Sequence, residues 1–153
     1  MATRLDMLPG TGPKSDSGAG PVSDRSVGSR EADPPRAPLQ ALDQLWFQVS
    51  GTVCNLRCTH CFISCSPEND SFWFMTRDQV RDALAESVEL GVKEYYFTGG
   101  EPFMNRDLIG ILEDTLALGP ATVLTNATLL PPRTVDALAE LAGASPYSLE
   151  LRV

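Results

Sequence analysis

The chain has 153 residues, with 12 Lys+Arg against 20 Asp+Glu and a formal net charge of −8, which suits a single domain. Residues 1–38 carry five basic and five acidic side chains, so the whole acidic excess falls on residues 39–153, where scattered arginines sit among twice as many carboxylates. That distribution excludes a basic groove for nucleic acid. No run approaches the roughly eighteen apolar residues of a spanning helix, and the N-terminus lacks the apolar segment of a secretory signal, so the expected setting is the cytoplasm, with no membrane partner.

Residues 1–38 hold six prolines and many glycines and serines with almost no large apolar side chains. Such a segment cannot bury enough surface to offset its ordering entropy, and it reads as a disordered leader ahead of a folded portion over 39–153. From Ala41 the pattern changes. Leu45-Trp46-Phe47-Gln48-Val49-Ser50 is rich in aromatic and β-branched residues and reads as a strand. After a cysteine-containing loop, Thr76 is placed to cap a helix with apolar positions at Val80, Ala83, Leu84, Val88 and Leu90, and Gly91 supplies a left-handed stop. A second strand, Lys93 to Thr98, runs into Gly99-Gly100-Glu101-Pro102.

A second helix is expected from about Arg106 to Leu118, closed by Gly119, then a strand over Ala121–Thr125. A third helix is expected to start near Pro132 and stop at Gly143, and a fourth strand to span Tyr147–Val153. Strands alternating with helices predict βαβ units and a parallel sheet. The repeat stops on a strand whose bare edge complete proteins normally cover. The expectation is therefore the first portion of a larger barrel-like domain, a truncated piece with about four strands and three helices.

Cys54, Cys58, Cys61 and Cys65 fall within twelve consecutive residues. Disulfides there would tie a loop only to itself, so the cluster points to metal in a reducing compartment. Cys54, Cys58 and Cys61 form Cys-x3-Cys-x2-Cys just beyond the first strand, and three thiolates on one short loop can each take a different iron of a cubane cluster while leaving the fourth iron open. With His60, the same residues could instead make a structural zinc knuckle. Gly99-Gly100 lets backbone approach a ligand without Cβ interference, and Glu101 offers an acceptor for an ammonium.

Together, Cys54-x3-Cys58-x2-Cys61 and Gly99-Gly100-Glu101-Pro102 resemble the signatures of the radical S-adenosylmethionine (SAM) superfamily, over about Leu45 to Val153. The stretch Cys-Asn-Leu-Arg-Cys followed by Thr-Gly-Gly-Glu-Pro looks most like the branch of peptide-modifying maturases and the molybdenum cofactor cyclase. The resemblance implies an α/β fold, a partial parallel (β/α) barrel of the radical SAM type. It further implies that Cys54, Cys58 and Cys61 ligate a [4Fe-4S] cluster whose fourth iron is chelated by the amino and carboxylate groups of SAM, with Gly99, Gly100 and Glu101 holding the methionyl ammonium. His60 occupies the position that lies against the adenine in the family, or else is a solvated loop residue.

Thr125-Asn126 resembles the family's Thr-Asn-Gly turn, whose polar groups face the cofactor. Ala127 replaces the glycine, at a cost on the order of 1 kcal/mol if the turn needs positive φ. Cys65 lies outside the three-cysteine pattern and is expected to be a free thiol. The segment Phe62 to Met75 reads as packing beneath the loop or as a substrate-facing lid. The implied chemistry is one-electron cleavage of SAM to a 5′-deoxyadenosyl radical that abstracts hydrogen from a substrate. It calls for an electron donor such as flavodoxin or ferredoxin and for an unidentified peptide or small-molecule substrate.

Overall fold

The computed structural model describes residues 37, 38 and 40–153; the expected leader lies almost wholly outside them. The described elements alternate as β1 (Gln44–Gln48), α1 (Arg77–Glu89), β2 (Glu94–Thr98), a short 3-10 turn (Pro102–Met104), α2 (Leu108–Leu116), β3 (Ala121–Leu124), α3 (Pro132–Ala144) and β4 (Leu149–Arg152). The four strands form one parallel sheet in the order β1-β2-β3-β4. Four parallel strands with three intervening helices are the architecture expected from the alternating pattern.

Register follows from side-chain alternation. Phe47 pairs with Phe97 and Trp46 with Tyr96, so Phe47 stacks on Phe97 (centroids 5.4 Å apart) and Trp46 on Tyr96 (4.4 Å). Phe47, Tyr95, Phe97, Ala121 and Val123 lie in one core with Val80 and Leu84 of α1, Leu138 of α3, and Leu108, Ile111, Leu112 and Leu116 of α2. Leu108, Ile111 and Leu112 are essentially inaccessible, and each such side chain contributes about 1.5–3 kcal/mol relative to exposure. A Ser87–Tyr95 hydroxyl pair, 2.9 Å apart and buried, ties α1 to β2. The Trp46–Tyr96 face is more open: Trp46 is half exposed, the Tyr96 hydroxyl donates to Glu94, and Arg152 pairs with Glu150 on the outer strand.

Helix α1 begins with a capping box: the Gln79 N–H donates to the Thr76 hydroxyl and the Gln79 side chain accepts from the Thr76 N–H. It ends at Gly91 with φ +76°, the left-handed stop expected there. Two other glycines act differently from the sequence expectation. Gly119 lies outside the positive-φ set; α2 ends earlier, at Leu116, and a Cβ on Gly119 would lie 3.1 Å from the Tyr95 ring, so the residue serves close packing. Gly143 does not stop α3, which continues to Ala144. The terminator is Ser145, whose N–H bonds the Leu141 carbonyl and whose hydroxyl bonds the Leu116 carbonyl.

Because the strands are parallel, the loops after β1, β2 and β3 all leave from the same end of the sheet. The cysteines, the Gly-Gly-Glu segment and Thr125-Asn126 are thereby brought together.

Candidate functional site

The cysteine loop is closed at its base by backbone pairing. Val53 bridges Ser66, the Cys54 N–H donates to the Ser66 carbonyl (3.2 Å) and the Thr52 N–H to the Phe72 carbonyl (3.0 Å). The Thr52 hydroxyl donates to the Asn69 carbonyl (3.0 Å) and accepts from the Phe72 N–H (3.2 Å). Gly51, at φ +53°, is required here because a Cβ would sit 2.1 Å from the Phe72 carbonyl oxygen. Residues 54–65 are thus an excursion from a pinned stem. Across its foot, Arg57 forms an ion pair with Glu68.

Within the excursion Cys54 and Cys65 are buried, Cys61 is half-buried and Cys58 is exposed. The Leu56 N–H points at Cys54 Sγ (3.4 Å) and the Cys65 N–H at Cys61 Sγ (3.2 Å). The Cys65 N–H, with further amide donors at Ile63 and Ser64, holds the Cys61 thiol below its ordinary value. Burial, followed by the neighbouring Cys61 charge, pushes the Cys65 thiol up to about 11. The two cysteines are therefore set apart chemically: Cys61 is the readier thiolate. An open hollow of about 730 Å³ is lined by Cys58, Cys61 and Cys65 with Arg57, Ser64 and Asn69. Cys54 is not part of its lining; its sulfur lies against Asn55 and Asn126. Among the described residues no three His, Cys, Asp or Glu side chains gather around one point.

The Gly-Gly-Glu segment packs directly on the stem of this loop. The Gly100 N–H donates to the Gly51 carbonyl (3.0 Å) and the Glu101 N–H to the Val53 carbonyl (3.2 Å). A Cβ on Gly100 would lie 2.0 Å from the Val53 carbonyl oxygen and 2.8 Å from the Cys54 Cβ. Gly99 has φ +132°, with Ser50 Oγ 2.5 Å from its Cβ position; the Ser50 hydroxyl is fully buried and has no hydrogen-bond partner. The missing side chains let two stretches of this chain approach each other.

Glu101 is fully buried. Its Oε1 accepts from the Phe103 N–H (3.0 Å) and the Thr125 hydroxyl (2.8 Å), and its Oε2 from the Asn126 N–H (2.8 Å). The carboxylate joins the loop after β2 to the loop after β3. Thr125 is buried and Asn126 half-buried, and Ala127 adopts φ +58°, the left-handed conformation that a glycine would take without strain. His60 is exposed beside Cys61, and Phe62, Phe72 and Trp73 are exposed as well, whereas Met75 packs against the core.

Two residues of the site, Asn55 and Asn105, escaped sequence reasoning. Asn55 donates to the Thr128 hydroxyl (2.7 Å) and accepts from Asn126 Nδ2 (2.9 Å), joining the cysteine loop to the loop after β3. Asn105 donates to the Val49 and Met75 carbonyls (2.8 Å each) and accepts from the Asp107 N–H (2.9 Å). The available signal for Asn55 was its place next to the first cysteine, with an amide able both to donate and to accept. Asn105 had none, because its carbonyl partners lie far away in sequence.

A parallel α/β sheet with a cysteine loop after its first strand and a glycine-rich turn after its second has the arrangement of a partial (β/α) barrel with both segments on one rim. A profile of the Radical SAM superfamily matches residues 49–149, and the chain belongs to that superfamily. It is 37% identical over 84 residues to a GTP 3′,8-cyclase of Tolumonas auensis, covering 53% of this chain and 25% of that protein. It is also 37% identical over 93 residues to a PqqA peptide cyclase of Bradyrhizobium diazoefficiens, covering 60% and 23%. Among solved structures, SuiB of Streptococcus suis bound to S-adenosylmethionine superposes with a TM-score of 0.57 at 25% identity, over 72% of this chain and 24% of that one. The same protein bound to its precursor peptide SuiA superposes with a TM-score of 0.57. The chain thus spans about a quarter of the length of these relatives.

Proposed function

We propose that this chain is the cluster- and SAM-binding portion of a radical SAM enzyme, with Cys54, Cys58 and Cys61 as ligands of a [4Fe-4S] cluster. The observation that carries the reading is the backbone pairing of Gly100 with Gly51 and of Glu101 with Val53, which sets the Gly-Gly-Glu segment against the first cysteine. Superfamily membership and the likeness to a SAM-bound structure support it. When bound, the cluster and SAM supply one-electron cleavage of a sulfonium and start radical chemistry on a substrate.

The residues of this chain do the holding. The Cys65 N–H at the Cys61 sulfur favours the thiolate form that ligates iron. Gly99, Gly100, Glu101, Thr125 and Asn126 are assigned to the adjoining SAM wall, and exposed His60 to the nucleoside. With its carboxylate already engaged by three donors, Glu101 serves that wall first by fixing the Thr125-Asn126 turn. A flavodoxin or ferredoxin is the proposed electron donor. The substrate is proposed to be a peptide or small molecule, a reading supported by the PqqA peptide cyclase relative and by SuiB with its precursor peptide.

Anaerobic reconstitution with iron and sulfide tests the proposal. The expected result is about four irons per chain, as a [4Fe-4S] cluster requires, with a spectrum perturbed by SAM. Retention of zinc without iron uptake would overturn it. Cys65→Ser is expected to keep the full iron content, and loss of iron in that variant would overturn the three-cysteine assignment.

A further inference from the structure

We propose that Asn126 is a positioning residue for the Cys54 thiolate: its side-chain amide donates to the Cys54 sulfur and raises the reduction potential of a cluster bound there. The inference rests on the cluster reading above and adds a role for the turn after β3.

Four contacts fix Asn126. Its N–H donates to Glu101 Oε2 (2.8 Å). Its Oδ1 accepts from both the N–H (3.0 Å) and the hydroxyl (2.6 Å) of Thr128, and its Nδ2 donates to Asn55 Oδ1 (2.9 Å). These partners settle the amide orientation, because turning it over would aim an NH2 at the Thr128 N–H. Asn55 is held the same way: its Nδ2 donates to the Thr128 hydroxyl at 2.7 Å, which leaves its Oδ1 to face Asn126. The three side chains form a closed ring, and one N–H of Asn126 remains outside it. The sulfur of Cys54 lies 3.9 Å from Asn126 Nδ2, within reach of an amide–sulfur hydrogen bond, and Cys54 is only 6% exposed.

An N–H dipole aimed at a buried thiolate stabilises negative charge, and the reduced cluster carries one more electron than the oxidised one. The donor therefore favours reduction, and hydrogen bonds to the sulfurs are among the determinants of cluster potential. Because Glu101 holds the Asn126 backbone, the same carboxylate that organises the turn also aims this donor.

The test uses the full 153-residue chain, reconstituted anaerobically and titrated with dithionite against redox mediators. Asn126→Leu removes the donor and is expected to lower the reduced-to-oxidised ratio about tenfold at a fixed potential, a shift of 59 mV for a one-electron couple. Asn126→Asp keeps the Oδ1 acceptor and the size of the side chain, replaces the donor with a carboxylate oxygen, and is expected to shift the potential further in the same direction. Thr128→Val removes the hydroxyl but keeps the backbone N–H that holds Asn126 Oδ1, and is expected to shift the potential less than Asn126→Leu. An unshifted potential in both Asn126 variants overturns the inference, as does an equal shift in Thr128→Val. Failure of the unsubstituted chain to take up iron overturns the cluster reading and this inference with it, whereas uptake with unshifted potentials overturns this inference alone.

Discussion

The hydroxyl of Thr125 donates to the carboxylate of Glu101 across 2.8 Å in a fully buried setting. The bond joins the loops that follow two neighbouring strands, and it makes Glu101 an internal tie between them. A Glu101→Ala variant leaves the Thr125 hydroxyl and the Phe103 and Asn126 N–H groups without their acceptor. Stranded buried donors cost about 1–3 kcal/mol each before relaxation or water entry, so a loss of about 3 kcal/mol in urea-unfolding free energy is expected. Glu101→Gln, which keeps one oxygen, is expected to lose less. Equal stability of Glu101→Ala and the unsubstituted chain would show that the tie is not structural.

Gly100→Ala places a Cβ 2.0 Å from the Val53 carbonyl oxygen, where both contacting groups are backbone or the base of a cysteine side chain. Relief requires the cysteine stem to move. The expected outcome is a loss of about 3 kcal/mol or more, together with weakened iron uptake. Gly143→Ala, whose Cβ meets nothing within 4 Å, is the matched control and is expected to gain about 0.5–1 kcal/mol from helix propensity.

Ala127 is strained in the opposite sense, since it holds φ +58° with a Cβ present. Left-handed backbone costs an L-residue roughly 1–2 kcal/mol, and glycine returns part of that gain as chain entropy. Ala127→Gly is expected to raise the unfolding free energy by about 0.5–1 kcal/mol, read as a higher urea midpoint at unchanged slope. A lower midpoint would contradict the strain.

Away from the site, Asp114 on α2 receives Arg77 Nε at 2.6 Å and Arg81 Nε at 2.8 Å from α1. The Arg77 hydrogen bonds, then those of Arg81, hold its carboxyl well below the usual range. A carboxylate with a depressed folded-state value contributes stability that is fully present above the ordinary range near pH 4 and is lost as pH falls through the folded value. Asp114→Asn is therefore expected to cost about 1–2 kcal/mol at pH 7, as a partly buried charge-assisted pair does. Its difference from the unsubstituted chain should shrink as pH drops below 4. A difference independent of pH would assign the loss to packing.

Short-range rules placed most of the framework. Aromatic and β-branched composition marked the strands that carry Phe47 and Phe97; Thr76 announced the start of α1, and Gly91 its end. Gly119 and Gly143 misled because the same residue that stops a helix also permits close packing or simply sits inside one, and nothing within a few residues tells these cases apart. The candidate ligands were named from the Cys54-x3-Cys58-x2-Cys61 spacing on one short loop together with the family resemblance. What surrounds them was not: Asn55 meets Thr128, and Asn105 meets Val49, across dozens of residues.

The order of strands and helices, the parallel sheet and the cysteine loop follow from patterns repeated every two or every 3.6 residues, and from ligand spacing. The inward turn of the Glu101 carboxylate, the seating of Gly100 on Val53 and the aim of Asn126 at Cys54 arise only once three strand ends are side by side. A hydrogen bond or a steric contact depends on distance in space. For loops leaving different strands, that distance is set by sheet register and by the helices packed beneath it, which no local pattern encodes.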